Sequence, residues 1–494
     1  MKKCLAFLLA IVMVLSFCAC SADDTADVTK ETTAVKTNEY VLSKDVKEGS
    51  VIDGVMTDIA GSDPILEKTT ASWLDTCVLY EVNVRQYTEE GTFKAFEDHL
   101  QRLKDMGINT LWFMPIHPIS ETERKGTLGS YYAVDDYMEV NPEFGTKEDF
   151  QNLVYKAHDM GFKVIIDWVA NHTGWDNAWV KEHDDWFMHG ESGKITSPYD
   201  WTDTAELNFD NYEMRAEMIK CMQYWVEEVG IDGFRCDHAI GVPASFWNAA
   251  VYKLKSINSE IMMLAEVSAA QSLTQYAFDT CYNDALYGQA MMVKGGVATS
   301  TIQQGMIQNA NYVDGSFPMN YLDNHDKNSY DGSIVDRFGD TYEPMLALTY
   351  LAPGFPLIYT SNEQGYDHEI AFFEKDAVVW EDDMKYAQLI TELSKLKVEN
   401  KALASTNTDL TINEVSNTHI FAFTRQSGDN KVVYVGNLFF EEIKDAGVTL
   451  DIENAKCVMH YDGETLSTEE TDVTKADFEN KSYKPYEFYI LVVE

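Results

Sequence analysis

Four short stretches of this chain place acids, histidines and amides directly behind apolar runs. Lys163-Val164-Ile165-Ile166 leads into Asp167-Trp168-Val169-Ala170-Asn171-His172, and Gly233-Phe234-Arg235-Cys236 leads into Asp237-His238. Leu264-Ala265 precedes Glu266, and Tyr321-Leu322 precedes Asp323-Asn324-His325-Asp326. One carboxylate after an apolar strand is an ordinary turn residue. Four such endings on different strands direct acids and histidines into one cavity. Two carboxyls flanking one bond are what glycoside cleavage requires, because one protonates the leaving oxygen while the other attacks or activates water. Asp237 and Glu266 are the candidate pair. Arg235 lies two positions before Asp237 and therefore on the same face of a strand; its guanidinium favours the ionised carboxyl that a nucleophile needs. Glu266 follows Met262-Met263-Leu264-Ala265, an apolar setting expected to raise its pKa and keep it protonated as the acid.

The elements that must position these groups alternate strand and helix. Near-continuous apolar strands, of the kind buried on both faces of a parallel sheet, are expected at Val78–Gln86, Thr110–Ile116, Lys163–Val169, Gly233–Asp237, Met262–Val267, Phe278–Tyr282, Met319–Asp323 and Phe355–Tyr359. Amphipathic stretches at Phe93–Met106, Lys147–Met160, Tyr212–Val229 and Tyr386–Val398 read as helices between them. The pattern predicts an α/β fold: a (β/α)8 barrel over residues 73–398 with an insertion after the third strand, residues 171–211. Catalytic groups of such a barrel sit at the C-terminal ends of its strands, where the four stretches end. Beyond residue 399 short alternating strands such as His419–Arg425, Lys431–Asn437 and Tyr486–Val493 predict a C-terminal antiparallel β-sandwich domain, residues 399–494.

With 81 acidic against 38 basic residues the chain carries a formal charge of −43, which argues against nucleic acid or an anionic surface as a partner. A neutral ligand is compatible. Lys2 and Lys3 precede an apolar run from Leu5 to Phe17, shorter than the roughly 20 residues of a spanning helix, so residues 1–20 read as a signal peptide. The run stops at Phe17-Cys18-Ala19-Cys20-Ser21. That ending resembles the lipobox of bacterial lipoproteins, with Cys20 as the acylated residue, and implies a secreted protein held to the bacterial envelope by its lipid alone. Residues 21–38, rich in Thr, Asp and Ala, suit a tether, and residues 39–72 carry no assignment. Cys77, Cys221, Cys236, Cys281 and Cys457 are dispersed and are expected to be buried free thiols.

The four stretches resemble the conserved regions of the α-amylase superfamily, glycoside hydrolase family 13: Asp167 to His172 the first, Gly233 to Asp237 the second, Glu266 the third and Asn324-His325-Asp326 the fourth. Gly129 to Tyr137 is similar to the family's substrate-side tyrosine loop. The resemblance implies retaining cleavage of α-glucans, starch-like or maltodextrin, with Asp237 as nucleophile, Glu266 as acid/base and Asp326 as the third carboxylate. It implies sugar contacts from Tyr132, His172 and His325, together with Arg235 and Asp167, and no organic cofactor. A structural calcium ion is implied at Asn171 and Glu206. The same motifs serve 4-α-glucanotransferases and neopullulanase or cyclomaltodextrinase enzymes, and a surface glycan-binding protein on a dead barrel is disfavoured because all three acids are present. Ile240 and Gly241 stand where many members carry Lys-His, so a lysine contact to sugar is missing. The aromatics of the insertion, Trp168, Trp175, Trp179, Trp186, Tyr199 and Trp201, offer flat faces for glucose units, with half expected to pack internally.

Overall fold

The structure, a computed structural model, describes residues 51–52, 55–56, 68–309, 312 and 315–493. The expected signal peptide, Cys20 and nearly all of the 21–72 segment lie outside the described residues. Eight parallel strands close into a barrel in chain order: β1 (Leu79–Val82), β2 (Thr110–Phe113), β3 (Lys163–Val169), β4 (Gly233–Asp237), β5 (Met262–Ser268), β6 (Thr280–Tyr282), β7 (Phe317–Tyr321) and β8 (Phe355–Tyr359), with β8 pairing back onto β1. Strand alternation divides the side chains. Leu79, Trp112, Ile165, Met262, Leu264, Tyr282, Phe317, Met319, Phe355 and Leu357 fill the interior, while Val78, Leu111, Val164, Ile166, Phe234 and Met263 face the surrounding helices. The same parity carries Glu81, Asp167, Arg235 and Asp237 inward at the upper end. Gly233 lets β4 approach β5, since a Cβ there would meet the Met262 carbonyl oxygen at 2.3 Å.

The expected barrel is present, with differences at element ends. β1 stops at Val82 and Val84–Tyr87 is a helical turn, because the Thr360 hydroxyl accepts from the Asn83 N–H at 3.0 Å and ends the ladder. The helix expected over Phe93–Met106 breaks into Phe93–Glu97 and Leu100–Asp105. The one over Tyr212–Val229 finishes in a wider π turn, Trp225–Val229. β7 lies two residues earlier than expected, so the chain has already turned before Asp326: Asn324 caps a helix at His325–Asp331, its amide oxygen accepting the Lys327 N–H at 2.8 Å.

The insertion begins with an antiparallel pair, His172–Gly174 against Thr204–Glu206. At the other end of the chain, β9 (Ile420–Ser427), β10 (Asn430–Asn437), β11 (Ala455–Tyr461) and β12 (Phe488–Val493) form the centre of an antiparallel sheet in the order β9-β10-β12-β11. One face, with Phe421, Phe423, Tyr434, Phe488 and Ile490, joins the barrel's outer core. The opposite face, with Ile420, Ala422, Val433, Val435 and Leu491, builds a second core under the remaining short strands. Cys77, Cys221, Cys236, Cys281 and Cys457 are all free and buried, and among the described residues no helix is long and apolar enough to cross a membrane.

Candidate active site

The site is built upward from Arg235, whose side chain is fully buried. Register places Asp167 of β3 beside Arg235 of β4, and Val169 beside Asp237. One guanidinium nitrogen lies 2.8 and 3.0 Å from the two Asp167 oxygens and 3.2 Å from Asp237; the other lies 2.8 Å from Glu266. The Nε–H donates to the Tyr282 hydroxyl at 3.1 Å. The guanidinium thus donates to Asp167 and Asp237 and stands at ion-pair distance from Glu266. Asp167 also accepts from Trp112 Nε1 at 3.3 Å and from the Tyr132 hydroxyl at 3.1 Å. Asp167 and Arg235, expected to touch sugar, therefore form a closed floor: neither lines the cavity.

Asp237 and Glu266 stand on this floor, with side chains 13% and 28% exposed. Both reach the same guanidinium and the charge of each acts on the other, so they titrate as a pair. Burial, and then the charge of Glu266, pushes Asp237 well above the usual carboxylate range, with Arg235 pulling the other way. Burial also works to raise Glu266, but Arg235 and the His238 backbone N–H, 2.7 Å from its Oε2, outweigh it and hold it below its ordinary value. These directions reverse the sequence expectation. Chain adjacency paired Arg235 with Asp237, whereas the two ends of the guanidinium reach both acids. The apolar residues before Glu266 lie lower on β5, and its carboxyl sits past them in the polar layer.

The cavity above, about 430 Å³, is lined among others by Tyr132, His172, Asp237, Glu266, His325 and Asp326. Asp326 is the most open of the three acids, its side chain 44% exposed and 3.4 Å from His325 Nε2. His325 Nε2 also meets the Tyr132 hydroxyl at 2.8 Å, and the two rings stack. His172 is buried and held neutral, burial pulling its pKa down to about 3. Sequence reading missed several participants. Glu81, fully buried on β1, lies 2.5 Å from His325 Nδ1; its short strand, Leu79-Tyr80-Glu81-Val82, has the same inward parity as Trp112 and Asp167 and carried that signal. Lys125, Asp203, Phe372 and Phe373 line the cavity from loops distant in sequence, where no periodicity marks them, and Tyr330 lines it from the helix His325–Asp331. Of the insertion's aromatics, Trp201 lines the cavity and Tyr199 is largely exposed beside it, its hydroxyl 3.0 Å from His238 Nε2. Trp168 and Trp186 are buried in packing.

The donors expected to hold calcium do not fit an ion by themselves. The Glu206 carboxylate accepts the Thr196 hydroxyl at 3.3 Å, and the Asn171 amide oxygen faces Gly241 and the His238 ring. Two side chains fall short of the roughly six to eight oxygens calcium takes, so an ion there would draw its other ligands from backbone carbonyls and water, and among the described residues no group of three or more His, Cys, Asp and Glu side chains is placed to hold a metal ion. Gly241 is where it is because a Cβ there would strike His238 and Asn171.

The family described as "Alpha amylase, catalytic domain" matches residues 83–205 and 184–403. The chain is similar to α-amylase MalA of Haloarcula japonica, 25% identical over 410 residues that cover 78% of this chain and 59% of the relative; it thus spans less than two thirds of that protein's length. Among solved structures it is similar to an α-amylase from Lactobacillus plantarum, with TM-score 0.75 and 28% identity, covering 85% of this chain and 99% of the other. The noncanonic maltogenic α-amylase AmyB from Thermotoga neapolitana matches with TM-score 0.75 and 27% identity over the same shares.

Proposed function

The chain belongs to the α-amylase catalytic-domain family, and from that premise we propose that it is a retaining hydrolase of α-1,4-glucosidic bonds in starch-like glucans or maltodextrins. The observation that carries the reading is that Asp237 and Glu266 line one cavity and share one buried guanidinium, at 3.2 and 2.8 Å. Two carboxyls held by the two ends of one guanidinium suit the close pair of the retaining reaction, one as nucleophile and one as acid/base. In the first step an Asp237 oxygen attacks the anomeric carbon as the bond to the leaving oxygen breaks, and the proton of the pair passes through Glu266 to that oxygen. In the second, Glu266 takes a proton from water, whose oxygen displaces Asp237 with net retention. Arg235 supports both steps by keeping one negative charge balanced at each stage. Asp326, His325, Tyr132 and His172 surround the reacting sugar as hydroxyl partners and a stacking face. The maltogenic amylase likeness supports maltodextrins as substrate.

The test is product chromatography after incubation with amylose, maltoheptaose, pullulan, cyclodextrin and trehalose. Shorter maltooligosaccharides from amylose and maltoheptaose are expected, with Asp237→Asn slower by about 10⁴-fold or more. Equal background release by both proteins would refute the assignment, and early products longer than the substrate would make it a glucanotransferase. We further propose that Cys20 carries a lipid that holds the secreted enzyme at the cell envelope. Detergent-phase partitioning of the expressed protein tests this; a Cys20→Ala variant that partitions like the parent would overturn it.

A further inference from the structure

We propose that the Lys125–Asp203 ion pair closes the glycone end of the cleft, so that the enzyme removes one or two glucose units from the non-reducing end of a chain instead of cutting within it. The inference rests on the α-glucan reading above. Lys125 Nζ lies 2.7 Å from Asp203 Oδ1, and the Asp203 side chain is only 5% exposed. The two come from different walls: Lys125 from the loop after β2, Asp203 from the insertion just before its second strand.

Neither wall is loose. The β2 loop is laced to the loop after β8, with Leu128 N–H donating to Phe373 O at 3.0 Å and Thr127 N–H to Glu374 at 3.0 Å. Arg85 ties both loops together through Gly129 O at 3.0 Å and Phe372 O at 3.3 Å. The same β2 loop is fastened to the insertion, where Asp176 accepts from the Ser120 hydroxyl at 2.9 Å and from the N–H groups of Glu121 and Thr122 at 2.7 and 2.8 Å. Three loops are thus joined into one rim, and the ion pair spans it.

The acids tell which end is closed. Glu266 serves the leaving group, and the residues next to it are His238 and, hydrogen-bonded to His238, Tyr199, which is 72% exposed. Exposed Ile240 follows on the same turn. That side is open. The opposite side runs from Tyr132 through Phe372, stacked at 6.3 Å, to Tyr330 at 5.7 Å. Lys125 sits on the loop whose Thr127 and Leu128 are tied to Glu374 and Phe373, and it lines the cavity with Tyr330 and Phe372, which places the ion pair on this side of the cleft. A polysaccharide threading the cleft would have to break this pair and leave the buried Asp203 carboxylate without its partner.

The experiment uses the purified full-length chain with reducing-end-labelled maltoheptaose, and with p-nitrophenyl maltoheptaoside whose non-reducing end is free or ethylidene-blocked. Labelled maltohexaose or maltopentaose is expected as the first labelled product, with the blocked substrate cut at least about tenfold more slowly than the free one. Lys125→Ala and Asp203→Asn are each expected to narrow that ratio to within about threefold while lengthening the released unit. Labelled products of all lengths from the start, or equal rates on blocked and free substrate, would overturn the proposal, as would variants that keep the parental ratio. Failure to cut any maltooligosaccharide, blocked or free, would instead sink the α-glucan reading on which it rests.

Discussion

His325 is the residue whose surroundings the barrel changes most. Its Nδ1 lies 2.5 Å from Glu81, and its Nε2 lies 2.8 Å from the Tyr132 hydroxyl and 3.4 Å from Asp326. Burial works against its charge, but the Asp326 and Glu81 carboxylates outweigh it and lift the pKa from 6.5 to about 9, with Arg235 opposing. Glu81 itself is lifted by burial to about 7, against the pull of His325 and Arg235 and with the push of Asp167. An imidazolium there donates from both nitrogens, to Glu81 and to the Tyr132 oxygen, while Tyr132 donates to Asp167. Because the folded pKa is raised, the contribution of this charge to stability is complete below about pH 6.5 and is lost as pH rises through about 9. Glu81→Gln keeps a hydrogen-bond acceptor at Nδ1 but removes the charge. The alkaline limb of kcat/KM is expected to move down by roughly one to two pH units. A pH-rate profile in Glu81→Gln identical to the parent's would show that Glu81 does not set the protonation of His325.

At the scale of elements, the barrel depends on buried pairs that fasten helices to strand starts. Lys255, on the helix Ala244–Ile257, lies 3.0 Å from Asp279, just before β6, and both side chains are about 1% exposed. Asp279 in turn accepts the Met263 N–H of β5 at 2.8 Å, so one carboxylate joins a helix and two strands. Lys255→Met removes the cation 3.0 Å from that buried charge and leaves Lys68 as its remaining basic neighbour, which costs about 3 kcal/mol, and urea denaturation is expected to record a loss of this size. A change under about 1 kcal/mol would mean that water or a neighbouring cation replaces the lysine. Gly233 acts at the same scale by backbone shape. The 2.3 Å approach to the Met262 carbonyl makes Gly233→Ala incompatible with the β4–β5 spacing that aligns Arg235 with Glu266, and circular dichroism with activity measurement should show both lost together.

The barrel and the C-terminal sheet should unfold as one body. Phe421, Phe423, Tyr434 and Phe488 of the C-terminal sheet share a core with the barrel helices, and the buried Arg425 donates to the Leu351 carbonyl oxygen at 2.8 Å. Lys397 reaches the Gly354 and Leu403 carbonyl oxygens at 2.9 and 2.8 Å across the same seam. Calorimetry is expected to give a single transition with matching calorimetric and van't Hoff enthalpies, and a chain ending at residue 398 is expected to be insoluble. Two resolved transitions would contradict the shared core. Since the Asn171 and Glu206 donors complete no calcium shell, chelation with EDTA is expected to leave the midpoint within about 2 °C; a larger fall reversed by calcium would place an ion there.

Much of this protein was legible from local pattern. Apolar runs of strand length, spaced by amphipathic helices, specify a closed parallel barrel because that arrangement buries both faces of each strand. Polar residues ending those runs then fall at one mouth, which is why Asp167, Arg235, Asp237, Glu266 and Asp326 could be named from order alone. Electrostatics could not be read in this way, since a pKa depends on which groups face one another across the barrel and not on which precede one another along the chain. Only the closed tertiary structure brought Arg235 to Glu266, put Glu81 behind His325, and joined Lys125 to Asp203 over the cleft. Those pairings link residues 31, 244 and 78 positions apart, separations at which no sequence periodicity operates.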